Sequence, residues 1–127
     1  MRKVSALLFS SLMMGFAFSA SAQNAAPAKT GSVYREGSFE RSAQEMTSCA
    51  AILLKMGEPN QHYFVGEAAE WHTLTGAPKD DIETATWTVA ARDTADRASE
   101  VKLLSFGASD AALSDTWGVL EACKTQR

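Results

Sequence analysis

The chain has 127 residues, 46% of them hydrophobic, and its 12 basic and 15 acidic side chains give a net charge of −3. This length suits one small domain. The acidic balance argues against a protein that binds nucleic acid or anionic membrane surfaces, because both carry negative charge. It suits a basic protein partner, or solubility alone.

The N-terminal segment has the pattern of a secretory signal peptide. Arg2 and Lys3 provide the positive start, an uncharged apolar stretch runs over 4–18, and the small residues at 19–22 offer a cleavage site. The apolar stretch has about 15 residues, fewer than the ~20 that a membrane-spanning helix needs, so we expect cleavage rather than an anchor helix. No twin-arginine motif precedes it. The sequence therefore predicts the general secretory pathway and a periplasmic or secreted protein.

Removal of a signal peptide at 1–22 would take away two basic residues and no acidic one. It would leave 10 basic against 15 acidic residues, a charge of −5. Residues 23–37 come next; they are small and polar, are interrupted by Pro27 and Gly37, and show neither a helical nor a strand period. We interpret them as a flexible leader. The remaining residues, 38–127, are expected to form one helical domain.

The first predicted helix extends over about 38–56, where apolar residues recur at steps of three and four. Ser42 and Glu45 match a capping box, so the helix could instead begin four residues later. Gly57 is a suitable C-terminal stop, and Pro59 cannot continue a helix.

Three more helices are predicted in the rest of the chain. The second extends over about 60–75, and the third over about 80–105, where paired aspartates suit the N-terminal dipole. Apolar residues of the third helix fall on two opposite faces, so it is either contacted on two sides or bent near 88–92. The fourth begins at Ser109 or Asp110. The sequence lacks the signals of a strand pair: apolar and polar residues show no sustained alternation, and there is no Asn-Gly or Asp-Gly turn.

Four helices with short, glycine-marked connections predict an all-α fold, a small four-helix bundle. Cys49 and Cys123 fall on the first and last helices, which are neighbours in an up-down-up-down bundle. We expect them to form a disulfide, because an exported protein with two cysteines most simply makes one. Such a bond, closing a loop of about 75 residues, would stabilise the fold by roughly 4 kcal/mol. A redox pair or a zinc site is the alternative, but C-x-x-C is absent and zinc takes four ligands.

Motifs for catalysis and cofactors are not found in the sequence. His62 and His72 would lie about 15 Å apart along the second predicted helix, too far to share a metal ion. The chain has no C-x-x-C-H haem motif, no H-E-x-x-H, no G-x-S-x-G and no glycine-rich phosphate loop. We therefore predict no cofactor, no metal and no enzymatic activity.

Three carboxylates and two aromatic residues are the candidates for binding a partner. Asp93, Asp96 and Glu100 step by three and four, so they would share one face of the third predicted helix. This face is either a solvated surface or a strip that binds a basic protein. Tyr63 and Trp71 could anchor the same partner, because such residues are favoured at interface centres; core packing is the other interpretation.

These observations favour a small exported binding protein whose partner is another protein. One concrete version is an inhibitor or immunity-type protein that blocks a toxin or a wall-degrading enzyme, since an acidic inhibitor associates faster with a basic enzyme. A periplasmic chaperone or stress protein, which would expose apolar surface at low pH, is an alternative. An enzyme of unknown class is another.

Overall fold

A computed structural model describes residues 31–124 as a five-stranded antiparallel sheet with two helices. The sheet order is β1-β5-β4-β3-β2, so β1 and β2 are its edges. The predicted signal peptide and residues 23–30 of the predicted leader lie outside the described residues. The elements in chain order are β1 (Ser32–Phe39), α1 (Ala43–Gly57), β2 (His62–Ala68), β3 (Trp71–Ala77), a 3-10 helix (Ile82–Thr84), β4 (Trp87–Ala95), β5 (Ala98–Ser105) and α2 (Asp110–Cys123).

The predicted all-α four-helix bundle is wrong, because the sheet accounts for most of the fold. The segment expected to be the second helix is the β2–β3 hairpin. The segment expected to be the third contains the 3-10 helix and the β4–β5 hairpin. Residues 32–37, expected in the leader, lie in β1.

Both hairpins lack the sequence signals on which a strand prediction depends. Their turns are Ala69–Glu70 and Asp96–Arg97, neither of which contains glycine. Ala69 has a φ of 58°, a left-handed conformation that glycine usually supplies in a two-residue turn. The first five residues of β4 are all buried, so the strand shows no alternation of apolar and polar residues.

The two helices lie where the first and last helices are predicted. The side chain of Ser42 accepts a hydrogen bond from the Glu45 N–H, and the Glu45 side chain accepts one from the Ser42 N–H. This capping box selects the later of the two predicted starts. Ser109 caps α2 by accepting from the Ala112 N–H at 3.1 Å. Within 31–124, neither helix has the length and hydropathy needed to cross a bilayer.

The hydrophobic core lies between the helices and one face of the sheet. Gly76 of β3 lies opposite Trp87 of β4, and a Cβ atom at Gly76 would clash with the indole ring. The glycine therefore makes room for the largest buried side chain of the sheet. The core also contains Phe39, Met46, Leu54, Leu74, Val89, Val101, Leu103, Leu113, Trp117 and Leu120.

The predicted disulfide is present and joins the helices over this core. Cys49 of α1 and Cys123 of α2 are bonded, with their Cα atoms 5.9 Å apart. The prediction that the first and last helices are neighbours is therefore confirmed, although four strands rather than a pair of helices separate them along the chain.

Candidate interaction site

A cluster of charged side chains surrounds Trp71 on the face of the sheet opposite the helices. The guanidinium carbon of Arg92 lies 4.6 Å from the Trp71 ring centroid, and the Lys102 Nζ lies 5.3 Å from it. Arg92 also donates hydrogen bonds to Glu70 Oε2, at 2.6 Å, and to Glu100 Oε1. We call these five residues, Glu70, Trp71, Arg92, Glu100 and Lys102, the Trp71 cluster.

The strand register brings the cluster together. Arg92 and Glu100 are directly opposed on β4 and β5, where oppositely charged cross-strand pairs are favourable. Trp71 is the first residue of β3, directly after the turn that carries Glu70. The cluster therefore depends on the β2–β3 and β4–β5 hairpins. If the same residues lay on helices, they would not be brought together.

The cluster contains two cations and two carboxylates, so its formal charges balance. Burial opposes the charge on Arg92, but the hydrogen bonds to Glu70 and Glu100 outweigh it and raise the pKa of the guanidinium. Lys102 Nζ lies 4.0 Å from Glu100 Oε2. Glu70 is the most exposed of the ion-paired members, with 62% of its side chain accessible, against 36% for Arg92 and 27% for Glu100.

Threonines and small residues occupy the same face beside the cluster. Thr75 and Thr88 are paired across β3 and β4, and their hydroxyl oxygens lie 2.8 Å apart. Thr73 is on the same face of β3, two residues nearer to Trp71 than Thr75 is, and it lies opposite Ala90. Its hydroxyl is buried and has no hydrogen-bond partner in the described part of the chain. This face therefore combines short polar side chains with the ionic cluster, whereas the helix-covered face is mostly apolar.

The structure separates the three carboxylates that the sequence placed on one helix face. Asp93 points to the helix side, where its Oδ1 accepts a hydrogen bond at 2.7 Å from the Ala43 N–H at the start of α1. Asp96 lies exposed in the β4–β5 turn. Glu100 belongs to the Trp71 cluster on the opposite face. The prediction that these carboxylates share one helix face is therefore wrong, because Asp93 and Glu100 occupy opposite sides of a sheet.

The two aromatic candidates are also on opposite sides. Trp71 is at the centre of the cluster and is mostly buried. Tyr63 of β2 packs on the helix side, 6.3 Å from the Trp87 ring, and its hydroxyl donates to the Leu54 carbonyl at 3.2 Å. Burial, with a contribution from Glu58, raises the pKa of the Tyr63 hydroxyl. Tyr63 thus fastens β2 to the C-terminal end of α1.

Of the residues predicted to bind a partner, the structure brings together only Trp71 and Glu100. Sequence reasoning missed Glu70, Arg92 and Lys102. A signal for one of these existed, since Glu100 and Lys102 alternate with buried residues once β5 is read with a strand period. The turn at Asp96–Arg97 conceals that period.

The two histidines lie on neighbouring strands of the sheet and not on one helix. His62 begins β2, and His72 Nδ1 lies 3.7 Å from Glu67 Oε2 on the helix side of the sheet. Between residues 31 and 124, no three histidine, cysteine or acidic side chains are grouped to hold a metal ion.

Comparison with other proteins gives this chain no family. No protein-family model matches it, and no curated protein is significantly similar to it in sequence. Its function must therefore be argued from the geometry above.

Proposed function

We propose that this chain is a small exported binding protein that contacts a protein partner through the Trp71 cluster. The observation that carries the proposal is the stacking of Arg92 and Lys102 against Trp71 on a rigid sheet. Tryptophan and arginine are the residue types that contribute most to binding at protein interfaces. Because strands hold these side chains in place, little conformational entropy would be lost on binding.

Glu70 supplies the polar contact in this proposal. Its carboxylate is the most accessible of the ion-paired groups within the Trp71 cluster and lies in the turn at the edge of that cluster. A cation of the partner can pair with Glu70 while Arg92 keeps its bond to Glu100. The acidic balance of the chain adds long-range attraction toward a basic partner, which raises the rate of association.

The finer version of the proposal is an inhibitor or immunity-type protein that blocks a toxin or a wall-degrading enzyme. Its support is the acidic charge together with the small, disulfide-joined fold, which suits an extracytoplasmic setting. The identity of the captured partner distinguishes this version from other kinds of binding protein.

The test is capture of a partner by the tagged chain, residues 23–127, from periplasmic and secreted fractions. We expect one stoichiometric partner that is lost as the salt concentration rises, because screening weakens contacts between exposed charges. Glu70→Arg should weaken capture by about tenfold or more. Glu83→Arg is the matched control, since Glu83 is also exposed but lies in the 3-10 helix between β3 and β4. Equal capture by both variants would contradict the proposed site.

A periplasmic chaperone is the second candidate, favoured by apolar residues exposed on α1. Ile52 and Met56 lie one turn apart, and 62% and 74% of their surfaces are accessible. Suppression of the aggregation of an unfolded client protein, abolished by Met56→Lys but not by Glu70→Arg, would support this candidate over the first.

A further inference from the structure

The two edges of the sheet differ in how well they are protected against pairing with another strand. The edge strand β1 has a register irregularity between Val33 and Arg35, and it carries adjacent charges at Arg35 and Glu36. The edge strand β2 pairs with β3 in an unbroken register and contains no proline, lysine or arginine; His62 is its first residue and Glu67 its one carboxylate. Bulges, prolines and charged side chains, especially lysine, are the usual features that keep an edge strand from adding a partner.

The outward backbone groups of β2 follow from its hairpin. A two-residue turn is closed by a hydrogen-bonded pair, here Ala68 and Trp71, and such pairs alternate with non-hydrogen-bonded ones along an antiparallel ladder. Tyr63, Val65 and Glu67 occupy the non-hydrogen-bonded positions. Their N–H and C=O groups therefore point away from β3, toward the open side of the strand.

We propose that β2 pairs in antiparallel fashion with β2 of a second copy of this chain, about a two-fold axis at Val65. Val65 is the middle residue of the strand, so this register overlaps the whole of β2. Val65, with 62% of its surface exposed, then faces Val65 of the second copy, and the two side chains cover part of each other's exposed surface. Phe64 faces Gly66 of the second copy, an aromatic–glycine pair that favours strand pairing. The two sheets join into one, with all helices on the same side.

Charge complementarity supports the second copy as the occupant. In this register Glu67 of the second copy lies opposite Tyr63, on the helix side of the sheet. Lys55 of α1 reaches over the same tyrosine, with its Nζ 6.0 Å from the ring centroid. Each copy therefore supplies a carboxylate next to the other copy's ammonium group, and the two-fold axis repeats this pair. This interface uses none of the Trp71 cluster, so it is independent of the proposed partner site.

Sedimentation velocity of residues 23–127, with the native disulfide intact, tests the proposal at protein concentrations from about 1 to about 200 µM, a range suited to a small interface. We expect a reversible dimer. Val65→Lys should weaken it by about tenfold or more, because two lysines would meet on the axis. Ile52→Lys, an equally exposed apolar residue on α1, should leave it unchanged.

A charge exchange tests the register itself. Glu67→Lys should weaken the dimer by placing two cations together, and the double variant Lys55→Glu/Glu67→Lys should restore it, with circular dichroism confirming that each variant is folded. A chain that stays monomeric at every concentration overturns the proposal. So does a dimer that Ile52→Lys disrupts and Val65→Lys does not, since that result places the interface on α1.

Discussion

The two faces of the central sheet are built from different kinds of side chain. The helix-covered face contains Trp87, Val89 and Leu103, which interlock with α1 and α2. The opposite face carries threonines and the ion pairs of the Trp71 cluster. Apolar burial supplies most folding free energy, whereas paired charges near the surface supply little. Thr75, Thr88 and Ala90 of the opposite face are buried as well, so the accessible groups of that face include Glu70, Arg92 and Glu100 of the Trp71 cluster.

The largest expected effect comes from the helix-covered face. Trp87→Ala should lower the free energy of unfolding by roughly 3–5 kcal/mol, because it removes the largest fully buried side chain and leaves a cavity. Thr88→Ala, one residue along β4 but on the opposite face, should cost only about 1 kcal/mol through loss of its contact with Thr75. Urea denaturation followed by circular dichroism measures both. Similar costs for the two variants would remove the distinction between the faces.

A smaller effect is expected within the Trp71 cluster. Arg92→Met should lower the free energy of unfolding by roughly 1 kcal/mol, since it removes two ion pairs and a cation–π contact that are partly exposed. The same variant should greatly reduce capture of the partner, although it changes the free energy of unfolding only slightly. Arg97→Met, in the exposed β4–β5 turn, is the control and should change neither quantity. A loss of unfolding free energy comparable to that of Trp87→Ala would show that the Trp71 cluster serves mainly to stabilise the fold.

The smallest effect is expected at the turn that carries Glu70. Ala69→Gly should raise the free energy of unfolding by up to about 1 kcal/mol, because glycine adopts the positive φ of this position without the steric cost that a Cβ atom imposes. Thermal unfolding monitored by circular dichroism measures the change. A decrease in melting temperature would show that the flexibility of glycine in the unfolded chain outweighs the relief of strain.

The sequence is informative about the ends of the fold and misleading about its middle. The capping residues Ser42 and Ser109 mark the starts of α1 and α2, and the two cysteines indicate the bond between them. These signals depend on neighbouring residues or on a covalent bond, so they can be recognised in the sequence without knowledge of the fold. The hairpins have no such signal, because an alanine occupies the left-handed turn position at residue 69 and β4 is buried on both faces.

For the same reason, only two of the five residues of the Trp71 cluster could be singled out from the sequence. Trp71 and Glu100 could be singled out by residue type, but their proximity depends on the register of β3, β4 and β5. Arg92 was overlooked because a helical reading places it away from both. Threonine, valine and aromatic residues are frequent in β2, β3 and β4, and this strand propensity was the signal that the helical periods concealed.

The position of β1 beside β5 has a consequence for how the chain reaches its folded state. The first described strand of the sheet pairs only with the last, so β1 (Ser32–Phe39) stays without a neighbour until β5 (Ala98–Ser105) has been synthesised. Contacts between such distant segments slow folding, because a long loop must close before they form. Delayed folding leaves the chain unfolded for longer, which is what export through the predicted general secretory pathway would require before the sheet and the disulfide form.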